Sequence, residues 1–121
     1  QARDAFEVLR ELDKANERFD IVVVDPPAFA KRQGGVEGAA RAYKELNLRA
    51  FRLLKPDGVL VSCSCSGKML PDHFESVVLW AAKDAGRTAQ LLERRGAGRD
   101  HPVLANVPET GYLKCFIYRV L

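Results

Sequence analysis

Two short stretches hold the residue types that could do chemistry. In "VVVDPPAFAK", residues 22–31, three β-branched valines run into an acid and two prolines. Pro26 and Pro27 fix φ and remove two N–H donors, so Asp25 and the neighbouring carbonyls make a rigid, acceptor-rich cluster suited to an amino group or a ring N–H. The same residues also serve simply to end a strand and cap a turn. In "SCSCSG", residues 62–67, Cys63 and Cys65 are two apart and share one face if the strand continues, while the serines and Gly67 describe a tight exit from a sheet.

The two cysteines read differently. Cys63, inside the strand, is a small buried hydrophobe. Cys65 stands where strand gives way to loop, and there a thiol can be reached. Its pKa of roughly 8.5 must be lowered by a cation or a helix N-terminus to give a thiolate, and a helix opening at Pro71 is the candidate. A metal site drawing His73 and His101 to the cysteines is disfavoured because no second ligand pair stands at the usual spacing, so no metal is expected. Cys115 reads as core.

The elements that must position these residues follow from periodicity. Residues 4–14, "DAFEVLRELDK", carry Phe6, Val8, Leu9 and Leu12 as one helical stripe, with Asp4 at the N-cap and Glu7 three residues on. Residues 19–25, "FDIVVVD", form a strand apolar on both faces, which belongs in a mostly parallel sheet covered by helices on both sides. A loop holding Gly34, Gly35 and Gly38 leads into a helix over 39–54 with Ala39, Tyr43, Leu46, Ala50 and Leu53 on one face, ended by a "KPDG" turn. Residues 59–64 make the next strand. Pro71 opens a helix whose Phe74, Val77, Val78 and Ala81 face inward until Gly86 closes it. Residues 88–94 and 112–120 then make two strands without an intervening helix, an antiparallel pair separated by a long loop. The order describes one α/β unit, and in such sheets ligands sit at the carboxyl ends of the strands, where Asp25 and Cys65 both lie.

The totals bound the class. At 121 residues and 47% hydrophobic, the chain is the size of one globular domain with a single core. No apolar run approaches the roughly 18 residues that span a bilayer, and the start has neither a signal-peptide layout nor an initiator Met, so a piece of something longer, away from membranes, is expected. A net charge of +3 permits nucleic-acid contact without demanding it. Three cysteines, an odd number, do not make a disulfide framework, and a reducing cytoplasm is expected.

A strand ending in Asp-Pro-Pro followed one helix later by a strand ending in Ser-Cys-Ser resembles the class I S-adenosylmethionine-dependent RNA cytosine-5 methyltransferases. More narrowly, "DPPAFAK", "AYKELNLRAFRLLKPDGVLVSCSCSG", "DHPV" and "GYLKCFIYRVL" resemble the bacterial family that methylates a cytosine of large-subunit ribosomal RNA, from about Asp4 to the last residue. The resemblance implies a Rossmann-like sheet, with S-adenosyl-L-methionine as cofactor and ribosomal RNA as substrate. It implies Cys65 as the nucleophile that adds to carbon 6 of cytosine, and Asp25 holding the N3 and amino side of the ring. Pro26 would line the pocket, and Asp4 would accept a hydrogen bond from the adenine amino group with Phe6 near the ring. Pro27 and Phe29 fall in the substrate pocket, and the prolines hold an acceptor cluster rigid where a flipped-out base must lie. Lys31, Arg32, Arg41 and Lys44 would meet phosphates near the crevice, although each alone is also an ordinary solvated cation. Arg94, Arg95, Arg99 and His101 are expected in a loop overhanging the site.

The chain departs from that family in lacking the glycine-rich loop after a first strand, the acidic residue ending a second, and an N-terminal RNA-binding domain. "GAG" at 96–98 lies between the last two strands and cannot replace the loop. The chain therefore resembles the C-terminal half of a catalytic domain, weak in cofactor binding by itself. It is expected to expose one sheet edge at residues 19–25 that invites pairing into a homodimer. Two other readings stay open: methylation of a base nitrogen through Asp25-Pro26-Pro27, which needs no thiol, and a non-catalytic half-domain that dimerises or binds RNA.

Overall fold

The computed structural model describes residues 5–26, 35–64, 70–95 and 114–121. Their elements run α1 (Ala5–Lys14), β1 (Phe19–Val24), α2 (Gly35–Arg52), β2 (Leu54–Ser64), α3 (Pro71–Asp84), β3 (Ala89–Arg95) and β4 (Lys114–Val120). Both ends of the chain order are as the periodicity predicts: helices alternate with strands up to α3, and β3 and β4 follow as an antiparallel pair.

Local chemistry ends the helices cleanly. After α1 the Asn16 N–H reaches Asp13 O and the Glu17 N–H reaches Leu12 O, the paired bonds of a Schellman turn, with Asn16 in the left-handed region at φ 59. The same pattern follows α3, where Gly86 at φ 73 and Arg87 donate to Lys83 O and Ala82 O. Gly86 therefore closes the helix as its position predicts, and Pro71 opens it. The end of α2 is met differently, because Arg87 donates to Phe51 O in its last turn at 2.7 Å and to Leu54 O, the first residue of β2, at 2.8 Å. Burial pushes the Arg87 pKa down from its usual range, with the nearby Arg18 charge adding to the effect.

The four strands are ordered β1-β2-β4-β3. β1 is parallel to β2, β2 antiparallel to β4, and β4 antiparallel to β3. Two boundaries differ from expectation. α2 begins at Gly35, inside the glycine-containing loop, because Gly35 and Gly38 tolerate helical dihedrals even though they favour them less than alanine. The Lys-Pro-Asp-Gly turn is absorbed into β2 as a bulge: Phe19 pairs with Leu54 but Ile21 already pairs with Val59. Asp57 sits there at φ 68, and Gly58 is obligatory, since a Cβ would lie 2.8 Å from Lys55 O and 3.2 Å from Asp20 O.

The core lies between the sheet and α2 and α3. Tyr43 meets Phe74 edge to face at 5.6 Å, Phe74 meets Phe116 at 5.4 Å, and Phe51 meets Tyr118 at 6.3 Å. All five rings are fully or almost fully buried, and each burial contributes on the order of 1.5–3 kcal/mol. Phe74, Val77, Val78 and Ala81 of α3 point inward as their spacing predicts.

β1 differs from expectation on its other face. Val24 is buried, but Ile21 and Val23 are each 63% exposed, so among the described residues this strand is covered on one side rather than two. The cysteines also differ. Cys63 and Cys115 are bonded to each other across β2 and β4, with their Cα atoms 4.1 Å apart. The expectation of two separate packing thiols is corrected by register: a separation of 52 residues in sequence becomes a directly opposed pair in the sheet.

Candidate active site at the strand ends

The parallel register of β1 and β2 sets Val24 beside Ser62, so the chain leaves both strands at the same edge of the sheet. Asp25 follows β1 and is exposed there, and Pro26 behind it is half-buried. Ser64 ends β2, and Cys65 is the next residue in sequence, outside the described residues. The expected juxtaposition of the two motifs therefore holds in the backbone as far as Asp25, Pro26 and Ser64. Asp4, Pro27, Phe29, Lys31, Arg32, Arg99 and His101 also lie outside the described residues.

The exit of β2 is held by buried polar side chains that periodicity alone does not assign. Ser64 donates to the Tyr43 hydroxyl at 3.1 Å, and Ser62 donates to Asn47 Oδ1 at 2.6 Å. Asn47 in turn donates through Nδ2 to Tyr43 O at 2.7 Å, one helical turn back. Tyr43, Asn47, Ser62 and Ser64 are all fully buried. Opposite Ser64 in register stands Lys114, the only charged side chain among the described residues that is buried. Asn47 was the available signal in the sequence, as a polar residue one turn after Tyr43 on a helix face otherwise apolar.

The basic residues fall into two groups. Arg94 and Arg95 belong to the end of β3 rather than to an overhanging loop, because the strand continues to Arg95 opposite Cys115. Arg94 is neutralised by Asp72 at 2.9 Å and Glu75 at 3.2 Å at the start of α3, and stacks over the Phe116 ring. Arg95 pairs with Glu93, whose carboxyl is held below its usual pKa by that hydrogen bond. Lys44 is placed elsewhere: its ammonium contacts Asp84 at 2.5 Å and lies 3.8 Å over the Trp80 ring. Asp84 is the last residue of α3, about 20 Å along the helix axis from Pro71, so Lys44 is drawn toward the far end of that helix. These two partners of Lys44 were not legible from the sequence. Arg41 on α2 is exposed.

Phe6 on α1 is half-buried and packs against the core. An exposed carboxylate at the strand ends and a half-buried ring on the preceding helix are groups of the kind that hold a nucleoside by hydrogen bonding and ring contact, so the described residues fit that use. Because Cys63 and Cys115 share one bond, Cys65 is the one cysteine of the chain outside it.

No family model matches the chain. Among curated proteins, it is 46% identical over 121 residues to the ribosomal RNA large subunit methyltransferase I of Tolumonas auensis, a match covering 100% of this chain and 30% of that protein. It is 45% identical over 118 residues to the protein of the same name from Klebsiella pneumoniae, covering 98% of this chain and 30% of the relative. Among solved structures, SMU.776, a candidate methyltransferase crystallised with SAH, superposes with a TM-score of 0.78 at 21% identity, covering 98% of this chain and 30% of that one. The chain thus spans about 30% of the length of the curated relatives it matches. It is a homologue of the large-subunit ribosomal RNA methyltransferases I along its whole length, and its four-stranded mixed sheet with flanking helices is part of the class I methyltransferase fold.

Proposed function

We propose that the protein to which this chain belongs transfers a methyl group from S-adenosylmethionine to carbon 5 of a cytosine in large-subunit ribosomal RNA, with Cys65 as the nucleophile. The observation that supports the reading is the register of β1 against β2, which brings the ends of the two strands, at Val24 and Ser64, to one edge of the sheet. The names of the 46% and 45% identical relatives support the substrate class.

The chemistry explains the residue types. Carbon 5 of cytosine is a weak nucleophile. Addition of the Cys65 thiolate to carbon 6 forms a C–S bond and leaves an enamine whose carbon 5 can attack, with Asp25 hydrogen-bonded to the N3 and amino side as charge gathers there. The cofactor supplies an electrophilic methyl group on a sulfonium. A base then takes the carbon-5 proton, the C–S bond breaks, and the thiolate and the aromatic ring are restored. Asp4 and Phe6 would hold the adenosine, Pro26 and Pro27 fix the pocket wall, and Phe29 and Lys31 meet the RNA. The parent protein would act in the bacterial cytoplasm, and the 121-residue chain by itself would pair as a homodimer through the open edge of β1.

The test is nucleoside mass spectrometry of large-subunit RNA methylated by a protein of the relatives' length that carries this chain. 5-Methylcytidine formed by the parent and lost in Cys65→Ser supports the reading. A product methylated on a base nitrogen, formed equally well by Cys65→Ala, would replace it with the thiol-independent use of Asp25.

A further inference from the structure

Between α2 and the end of β2 lies a set of linked polar side chains inside an otherwise apolar core. The Ser64 hydroxyl bonds Tyr43 Oη at 3.1 Å, Ser62 bonds Asn47 at 2.6 Å, and Asn47 bonds back to Tyr43 O at 2.7 Å. Four fully buried polar side chains are costly to desolvate, and alanine, valine or phenylalanine would fill the same space without that cost. Packing alone does not call for them. What they add is direction: two separate points on β2, Ser62 and Ser64, are tied to one rigid helix, and the rings of Tyr43 and Phe74 wedge the helix in place at 5.6 Å. The tie ends at Ser64, the residue that carries the chain into position 65.

We propose that Tyr43 is a positioning residue for catalysis: its buried hydroxyl, bonded by Ser64, fixes the exit of β2 and through it the approach of the Cys65 thiol to the pyrimidine ring. This rests on the assignment of Cys65 as nucleophile. A fixed strand exit limits how far the residue that follows it can be displaced, and about 1 Å of displacement of a nucleophile can cost on the order of a hundredfold in rate.

Tyr43→Phe removes one oxygen and keeps the ring. In a protein of the relatives' length that carries this chain, kcat for RNA methylation should fall about tenfold or more, with KM for RNA and cofactor near the parent values. The rate of Cys65 adduct formation on RNA containing 5-fluorocytidine should fall in step, and the thermal midpoint should move by only a few degrees, on the order of one lost hydrogen bond. Ser64→Ala should reproduce the kinetic loss, Ser64→Thr should restore part of it, and the double variant with Tyr43→Phe should be no slower than either alone. If Tyr43→Phe does not fold, Ser64→Ala carries the same test. Parent-level kcat in the soluble variant, or a loss confined to KM, overturns the proposal. The two assignments fail separately: full activity of Cys65→Ser removes the thiol, whereas normal kcat in Tyr43→Phe alongside an inactive Cys65→Ser removes only the positioning role.

Discussion

Cys63 and Cys115 face each other across β2 and β4 with Cα atoms 4.1 Å apart, and the bond between them closes a sequence span of 52 residues. It staples the middle of the sheet one residue before Ser64 and accounts for two of the three cysteines. A non-reducing peptide map of the oxidised protein should yield a Cys63–Cys115 cross-linked peptide with Cys65 open to alkylation. By the chain-entropy account, reduction should cost stability of about 4 kcal/mol at most. A cross-link that includes Cys65 would contradict this arrangement.

Tyr118 presents the opposite case to Tyr43. Its hydroxyl is buried without a hydrogen-bond partner among the described residues. Burial is the main reason its pKa is pushed far up, with the Glu75 carboxylate adding to the effect and Arg94 opposing it. The folded-state pKa lies above the unfolded value of about 10, so the associated stability is whole below that pH and drains away as pH rises past it. Tyr118→Phe should be neutral or stabilising at pH 7, within about 1 kcal/mol, and its denaturant midpoint should fall less than the parent's as pH is raised above about 10. A clear loss at pH 7 would show that the hydroxyl has a partner.

Among the described residues β1 is paired on one side only, and its uncovered face carries Ile21 and Val23, each 63% exposed. Exposed apolar edge strands pair with other chains, and charge on the edge blocks them. Sedimentation velocity of the 121-residue chain should show a dimer, converted to monomer by Ile21→Lys with Val23→Lys. A parent chain that sediments only as monomer would argue against pairing through this edge.

Much of this architecture was legible beforehand because it rests on local signals. Pro71 and Gly86 bracket α3, the apolar spacing from Phe74 to Ala81 gives its inner face, and two strand-like runs with no helical periodicity read between them announce the antiparallel pair. What was not legible depends on register. The Lys-Pro-Asp-Gly stretch reads as a turn, and only pairing with β1 turns it into a bulge within a longer strand. Cys63 and Cys115 become partners only once β4 is laid against β2, and Lys44 meets Asp84 and Trp80 only once α2 is laid against α3. Asp25 was legible as a strand-end carboxylate because two prolines behind it leave the chain no way to extend the ladder.

The account turns on the thiol of Cys65, and the most direct measurement is covalent trapping on large-subunit RNA substituted with 5-fluorocytidine, where the fluorine at carbon 5 prevents release of the enzyme. With cofactor present and the chain carried in a protein of its relatives' length, the account predicts a denaturation-resistant RNA adduct whose attached peptide contains Cys65, and none from Cys65→Ser. An adduct of equal yield from Cys65→Ser, or methylation without any adduct, would contradict it.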